Sequence, residues 1–348
     1  MFKKEELDKL IEDGYLIKQV HPELPLTIYN YSDKCQYDGY WNEITLNCRG
    51  LILDENMNIV ARPLKKFFNH EQQNPERIPF EEDITVYTKM DGSYGQLYFI
   101  GEDPFISTRG SFQSEQAIWA NDFAKKNGLI EKWKNLDKDY TYVFEIIYKT
   151  NKIVVDYKDF EGLVLLAVIN KETGKDSDKP LESFDVGTPI VERHDGLKEI
   201  SYLISLEEKN KEGFVVKFSS GFRLKVKFKD YIRLHRLMTM TSTITIWEEL
   251  KNGKDIYSVL ENVPDEFYNW VKQIDKQLKE DYDLIESQCK EDFYPLSSRK
   301  ETAELFRTKK YPGILFSILD GKPYDKAIWK MIRPKFSKPF ASEDEKAL

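Results

Sequence analysis

The sequence predicts an α+β protein, a body of antiparallel sheets with flanking helices followed by a small all-α C-terminal domain. Two observations carry this prediction. Up to about Met240 the chain is built from short runs rich in Val, Ile, Tyr, Phe and Thr, broken by Gly, Asn and Asp turns, which is the pattern of strands. Beyond it, Phe267, Trp270, Val271, Ile274, Leu278, Tyr282 and Ile285 recur at helical spacing with polar residues between them. The change of period places domains at 1–240 and 241–348.

Taken in order, Ile84–Thr88 reads as a strand ending at Lys89-Met90-Asp91-Gly92-Ser93. Glu115–Lys126 reads as a helix, with Ala120, Phe123 and Ala124 on one stripe and Ser114 able to cap it. Residues 142–148, 162–168, 213–217 and 224–228 are strands. Helices follow at 244–251, stopped by Gly253, then at 264–289, 299–308 and 323–332, the last ended by Pro334.

Composition sets limits. The 348 residues suffice for two domains, and no apolar stretch is long enough to span a bilayer, so a soluble cytoplasmic protein is expected. Cys35, Cys48 and Cys289 are scattered and the four histidines form no ligand pattern, which argues against a disulfide framework or a zinc site. The net charge of -8 argues against a basic surface over the whole chain, yet charge is local: residues 223–236 carry Arg223, Lys225, Lys227, Lys229, Arg233 and Arg236 against Asp230 alone, a patch able to seat a polyphosphate or a nucleic-acid end.

An amine at a strand end, two residues before a carboxylate and three before a glycine, can be aimed at a phosphorus atom. Lys89 is that amine. It is joined in fixed order by Asn47-Cys48-Arg49-Gly50, Arg62-Pro63-Leu64-Lys65-Lys66, Ser107-Thr108-Arg109-Gly110, Tyr142-Val143-Phe144-Glu145, Glu161-Gly162-Leu163-Val164, Glu212-Gly213-Phe214-Val215-Val216-Lys217 and Leu224-Lys225-Val226-Lys227. From about Leu46 to Arg236 this series resembles the ATP-dependent RNA ligases of the phage RNA ligase 1 group, in the covalent nucleotidyltransferase superfamily that also holds DNA ligases and mRNA capping enzymes.

The resemblance implies a nucleotidyltransferase domain in which Lys89 attacks ATP and carries AMP. A free lysine amine is protonated at neutral pH, so nearby cations must depress its pKa, the candidates being a bound magnesium together with Lys225 and Lys227. Period-two geometry puts Lys225 and Lys227 on one face, where they would stabilise charge on the phosphates. Arg49 and Lys66 would hold the β and γ phosphates. Arg109, where the family often has lysine, would grip ribose or phosphate. Asp91 and Gly92 shape the turn, and Asp91 is a further candidate for metal-bound water. Glu145 sits in an apolar strand, where an acid needs a partner. The resemblance assigns it to ribose or metal, and Glu212 joins it as a Mg2+ candidate, with Mn2+ able to stand in. The competing reading for Glu145 is a structural salt bridge. Adenine would rest on aliphatic side chains such as Leu166 or Val168.

The activity so implied is an ATP-dependent RNA ligase, a monomer joining 5'-phosphate and 3'-hydroxyl RNA ends, with tRNA repair as its biology. A DNA ligase or capping enzyme would follow the last lysine motif with a strand-rich barrel rather than helices. The same residues also admit a noncatalytic RNA-end binding protein on this fold, or an enzyme that transfers AMP to another protein.

Overall fold

The computed structural model describes residues 2–257, 260, 263 and 265–339. The first sheet is an antiparallel meander of β1 (Leu16–Val20), β2 (Leu26–Tyr31), β3 (Arg49–Asp54) and β4 (Ile59–Ala61). Helices α1 (Lys4–Glu12), α2 (Asp33–Asp38) and α3 (Glu43–Asn47) accompany it, and Leu7, Leu10 and Cys35 pack with Tyr29, Tyr31, Leu51 and Leu53. Asn42 starts α3 with a capping box, its side chain accepting from Ile44 and Thr45.

The chain continues through β5 (Phe68–Asn69), β6 (Ile84–Thr88), β7 (Ser93–Ile100), β8 (Asp103–Thr108), β9 (Tyr140–Ile147), β10 (Gly162–Asn170), β11 (Arg193–His194), β12 (Gly213–Phe218) and β13 (Arg223–Lys227). These make two further sheets. One is antiparallel in the order β10-β9-β7-β8, and the other runs β11-β6-β12-β13-β5 with only the β13 to β5 pair parallel.

Burial explains the sequence patterns. Strand β10 is apolar almost throughout because both its faces are covered. Leu163, Leu165 and Val168 pack with Phe144 and Trp133, and Ala167 and Ile169 with Val143 and Leu64. Burying a side chain such as Phe144 stabilises the fold by roughly 1.5–3 kcal/mol. In β12 and β13, by contrast, Phe214, Val216, Phe218, Leu224 and Val226 are buried while Val215, Lys217, Lys225 and Lys227 alternate with them. Helix α4 (Glu115–Lys126) is capped by Ser114, which accepts from the Ala117 N–H, and buries Ala117, Ala120 and Ala124. Helices α5 (Leu129–Trp133) and α6 (Ile200–Ser205) complete this part.

The chain divides into two compact units, Met1–Ile232 and Arg233–Leu348, with the division inside α7 (Lys229–Met240). The second unit contains α8 (Thr243–Lys251), α9 (Asp265–Asp292), α10 (Arg299–Arg307), α11 (Pro312–Leu319) and α12 (Asp325–Met331), and no strand follows β13 among the described residues. Its core includes Ile285, Cys289, Phe306, Ile314, Leu315 and Ile328. Helix α9 begins at Asp265; Pro264, where the periodicity starts it, lies outside the described residues. The sequence reading places α4, α8, α9, α10 and α12 and leaves α1, α2, α3, α5, α6, α7 and α11 unplaced. The run 223–236 reads as one basic stretch, yet it divides between β13 and α7, where Tyr231, Leu234 and Met238 are buried at three- and four-residue spacing. Among the described residues no helix is long and apolar enough to cross a membrane.

Candidate active site

Strand order creates the centre of the site. Because β12 lies between β6 and β13, with Thr88 opposite Phe214 and Gly213 opposite Lys227, the residue preceding β12 falls between the ends of both neighbours. That residue is Glu212. The backbone fixes it, with Lys89 N–H donating to the Gly213 carbonyl at 2.8 Å and Phe228 N–H to the Glu212 carbonyl at 3.0 Å. The side chains follow: Lys89 Nζ donates to Glu212 Oε2 at 2.6 Å and Lys227 Nζ lies 2.7 Å from Oε1. Glu212 is 3% exposed. Burial alone would raise its pKa, but the ammonium groups of Lys89 and Lys227 outweigh it and hold the carboxyl below its ordinary value. Gly213 has φ +142, and a Cβ there would collide with the Val226 carbonyl oxygen, so this close strand crossing requires glycine.

The turn after Lys89 is anchored by Asp91. Its Oδ2 accepts from the N–H groups of Val154 (2.9 Å) and Val155 (2.8 Å), its Oδ1 accepts from the Tyr231 hydroxyl at 2.7 Å, and its own N–H donates to the Tyr157 hydroxyl at 2.7 Å. The carboxylate therefore holds the turn in place. Gly92 donates to Glu145 Oε1 at 2.9 Å, and a Cβ on it would lie 2.6 Å from the Ile146 carbonyl oxygen. Ser93 and Asn151 close the turn through their side chains.

Glu145 is opposite Tyr94 on β7 and Val164 on β10. No Lys or Arg among the described residues reaches ion-pairing distance of it. Burial first, with Glu212 and Asp91 adding to it, pushes its carboxyl up to about 7 against the pull of Lys89 and Arg49. Glu145, half-buried and without an ion-pair partner, is the carboxylate here that could meet a divalent cation keeping most of its ligands as water and phosphate, whereas Glu212 could join it only by giving up Lys89 or Lys227.

A cleft of about 440 Å³ opens beside these groups, with Arg49, Lys89, Glu145 and Lys225 along its polar wall and Leu166 and Val168 on its apolar wall. Arg49 stacks over the Tyr94 ring at 4.4 Å. Lys225 sits 4.8 Å from the Phe67 ring, and burial, reinforced by Arg49, Lys89, Lys66 and Lys227, drives its amine down to about 6. The cleft also takes in Asp176, which pairs with Arg223 through both oxygens and with Lys217 at 3.2 Å. A second cavity, of about 410 Å³, also reaches Lys89 and Glu212.

Lys66 and Arg109 meet at one oxygen, both donating to the Tyr31 hydroxyl, at 3.3 and 2.9 Å. Burial would raise the Tyr31 phenol, but Arg109, Lys66 and Arg49 prevail and lower it. Burial also lowers Lys66, which lies over the rings of Tyr31, Trp41 and Phe68. Of the neighbouring cations, Lys65 pairs with Glu43 at 2.6 Å and Arg62 donates to the carbonyls of Lys171 and Glu172, so both are engaged structurally.

Lys89, Arg49, Gly92, Glu145 and Lys225 thus share one cleft, Glu212 joins Lys227 to Lys89, Asp91 braces the turn, and Lys66 with Arg109 forms a neighbouring cationic group. Sequence reasoning misses Tyr31, Tyr94, Tyr231 and Asp176. Tyr31 precedes the first motif and Asp176 lies in an irregular segment, so no local pattern marks either. Tyr231, four residues after Lys227, carries the helical spacing of α7.

The profile of the RNA ligase family matches residues 47–232. A protein of Autographa californica nuclear polyhedrosis virus, described as a bifunctional polynucleotide kinase/RNA ligase, is 25% identical over 266 residues, 66% of this chain and 38% of that protein. The RNA ligase of Rhodothermus phage RM378 is 25% identical over 381 positions, 83% of this chain and 80% of that protein. An RNA ligase of Naegleria gruberi solved with ATP and Mn superposes at a TM-score of 0.42 with 18% identity, covering 50% of this chain and 58% of that one. The chain therefore spans just over a third of the baculovirus protein and just over half of the amoebal one. With its family profile covering more than half of the sequence, the chain belongs to the RNA ligase family.

Proposed function

We propose that this chain is an ATP-dependent RNA ligase that works through a lysyl-AMP intermediate on Lys89, sealing 5'-phosphate to 3'-hydroxyl RNA ends. The observation that carries the reading is the convergence of Lys89 and Lys227 on the buried Glu212 carboxylate, with Lys89 also lining a cleft shared by Arg49, Glu145 and Lys225.

In the first step the Lys89 amine attacks the α-phosphorus of ATP. A nitrogen to phosphorus bond forms, the bond to the β-phosphate oxygen breaks, and its electron pair leaves with pyrophosphate. Glu212 Oε2, at 2.6 Å, is placed to take the amine proton. Arg49 would face the phosphate oxygens, where a fixed cation in a secluded site lowers the barrier most, and Lys225, held down to about 6 by burial and its cationic neighbours, would regain its proton beside the bound phosphates. Adenine would lie against the apolar wall by Leu166 and Val168. A divalent cation, Mg2+ or Mn2+, held at Glu145 would neutralise phosphate charge. Next, a terminal 5'-phosphate oxygen displaces the lysine from phosphorus to give a 5'-5' pyrophosphate, and a 3'-hydroxyl then attacks the RNA phosphorus and expels AMP.

The helical unit, in the place where a DNA ligase or capping enzyme would continue with strands, supports RNA as the substrate; repair of cleaved tRNA is the setting the family resemblance implies. In this reading the two units supply the adenylyltransferase and the RNA-specificity domains of a cytoplasmic monomer. Mass spectrometry tests the proposal. Incubation with ATP and Mg2+ should add one AMP, lost on adding 5'-phosphorylated RNA and absent in Lys89→Ala; a wild-type chain that never gains AMP would refute it.

A further inference from the structure

Charge in the second unit is segregated. Helix α9 carries nine acidic against four basic residues, whereas residues 322–338 carry six, Lys322, Lys326, Lys330, Arg333, Lys335 and Lys338, against Asp325 alone. Asp325 accepts from the Tyr282 hydroxyl at 2.8 Å, and among the described residues no carboxylate pairs with Lys326, Lys330, Arg333, Lys335 or Lys338. Among the described residues this is a basic surface without its counter-charge.

The segment that bears it is held firmly. Past α12 the backbone is laced to the start of α8: Thr243 N–H donates to the Ser337 carbonyl at 3.0 Å, its hydroxyl to the Lys335 carbonyl at 2.6 Å, and Ser337 N–H returns a bond to that hydroxyl at 2.9 Å. Trp247 adds a second tie, donating to the Trp329 carbonyl at 2.7 Å while its ring collects Arg333 at 5.5 Å and Lys251 at 4.7 Å. With the backbone committed inward, Lys335, Phe336 and Lys338 are exposed, Phe336 at 61%. An exposed aromatic between two lysines has the makings of a base-stacking platform beside phosphate-binding cations.

We infer that this strap is a binding surface for single-stranded RNA, its lysines on successive phosphates and Phe336 stacked on a base. The inference rests on the RNA ligase reading for the identity of the ligand. It differs from the cleft in the chemistry it needs, since strand binding here requires no ATP.

The test uses the full chain and the triple variant Lys330→Gln, Lys335→Gln, Lys338→Gln, with matching thermal unfolding to show intact folding. Fluorescence anisotropy with a labelled single-stranded RNA across a salt series should lose about 2 from the slope of log affinity on log salt, near 0.7 for each phosphate contact removed. Phe336→Ala should bind about tenfold more weakly while keeping the slope. In sealing assays the triple variant should raise the KM for RNA about tenfold, with lysyl-AMP formation from ATP unchanged. An unaltered salt slope in the triple variant, or duplex RNA competing as well as single strands, would overturn the inference. A wild-type chain that takes up no AMP would instead count against the cleft reading, with the salt slope still deciding this one.

Discussion

The Tyr231 hydroxyl donates to Asp91 Oδ1 at 2.7 Å, tying the turn that follows the candidate nucleophile to the helix that follows the last lysine pair. Asp91 is 4% exposed, so loss of that donor leaves a buried carboxylate oxygen short of a partner. Tyr231→Phe should lower stability by about 1–3 kcal/mol and slow lysyl-AMP formation by loosening the turn. Denaturant unfolding checks the first effect, and a wild-type midpoint would rule out the anchoring role.

Glu212→Gln keeps the shape of the central side chain but leaves Lys89 and Lys227 without their shared charge. We expect adenylylation to fall by about 10²-fold or more, with the chain still folded. A time course of AMP uptake measures it, and a rate within threefold of wild type would remove Glu212 from the chemistry.

Opposite pH behaviour is expected of two half-buried groups. Glu145 has its pKa raised to about 7, so its contribution to stability is fully present below the ordinary carboxylate value and is lost as pH rises through 7. Glu145→Gln should therefore gain stability relative to wild type between pH 5 and 8. Lys225 is depressed to about 6, so its contribution is present above the ordinary lysine value and is lost as pH falls through 6. Lys225→Met should gain relative to wild type as pH falls from 9 to 6. Paired Tm profiles decide, and parallel curves would contradict both assignments.

Lys66 and Arg109 share the Tyr31 hydroxyl as acceptor. Removing it in Tyr31→Phe leaves both charges present but less well placed. The KM for ATP should rise about tenfold, the cost of a hydrogen bond to a charged group, with kcat for adenylylation nearly preserved. A fall in kcat at unchanged KM would show that Tyr31 acts elsewhere.

Gly213→Ala forces a side chain against the Val226 carbonyl at φ +142. Displacing β12 from β13 moves Glu212, so lysyl-AMP formation should drop more than tenfold along with a loss of about 1–3 kcal/mol in stability. An alanine variant with normal rate and Tm would mean that the strands can separate freely there.

Much of this was legible in the sequence because it is local. Lys225 and Lys227 alternate with Leu224, Val226 and Phe228, which fixes their common side, and Gly92 follows Asp91 because the turn abuts the Ile146 carbonyl. What escaped is set by partners far along the chain. Asp91 invites a metal-binding role from its position beside Lys89, but its oxygens are taken up by Val154, Val155 and Tyr231, which no spacing near residue 91 discloses. Tyr31 is likewise an unremarkable strand residue until Lys66 and Arg109 arrive on it. Helix α7 was hidden by its own charges, since its basic residues interrupt the apolar ones that give it a buried stripe.

The ion pair between Lys89 and Glu212 spans 123 positions, and Lys227 must be added to complete it. Contacts of such long range form late, after large loops have closed. A growing chain therefore carries Lys89 for more than a hundred residues of synthesis before Glu212 exists, and the three-membered ion pair can close only once β13 has been made.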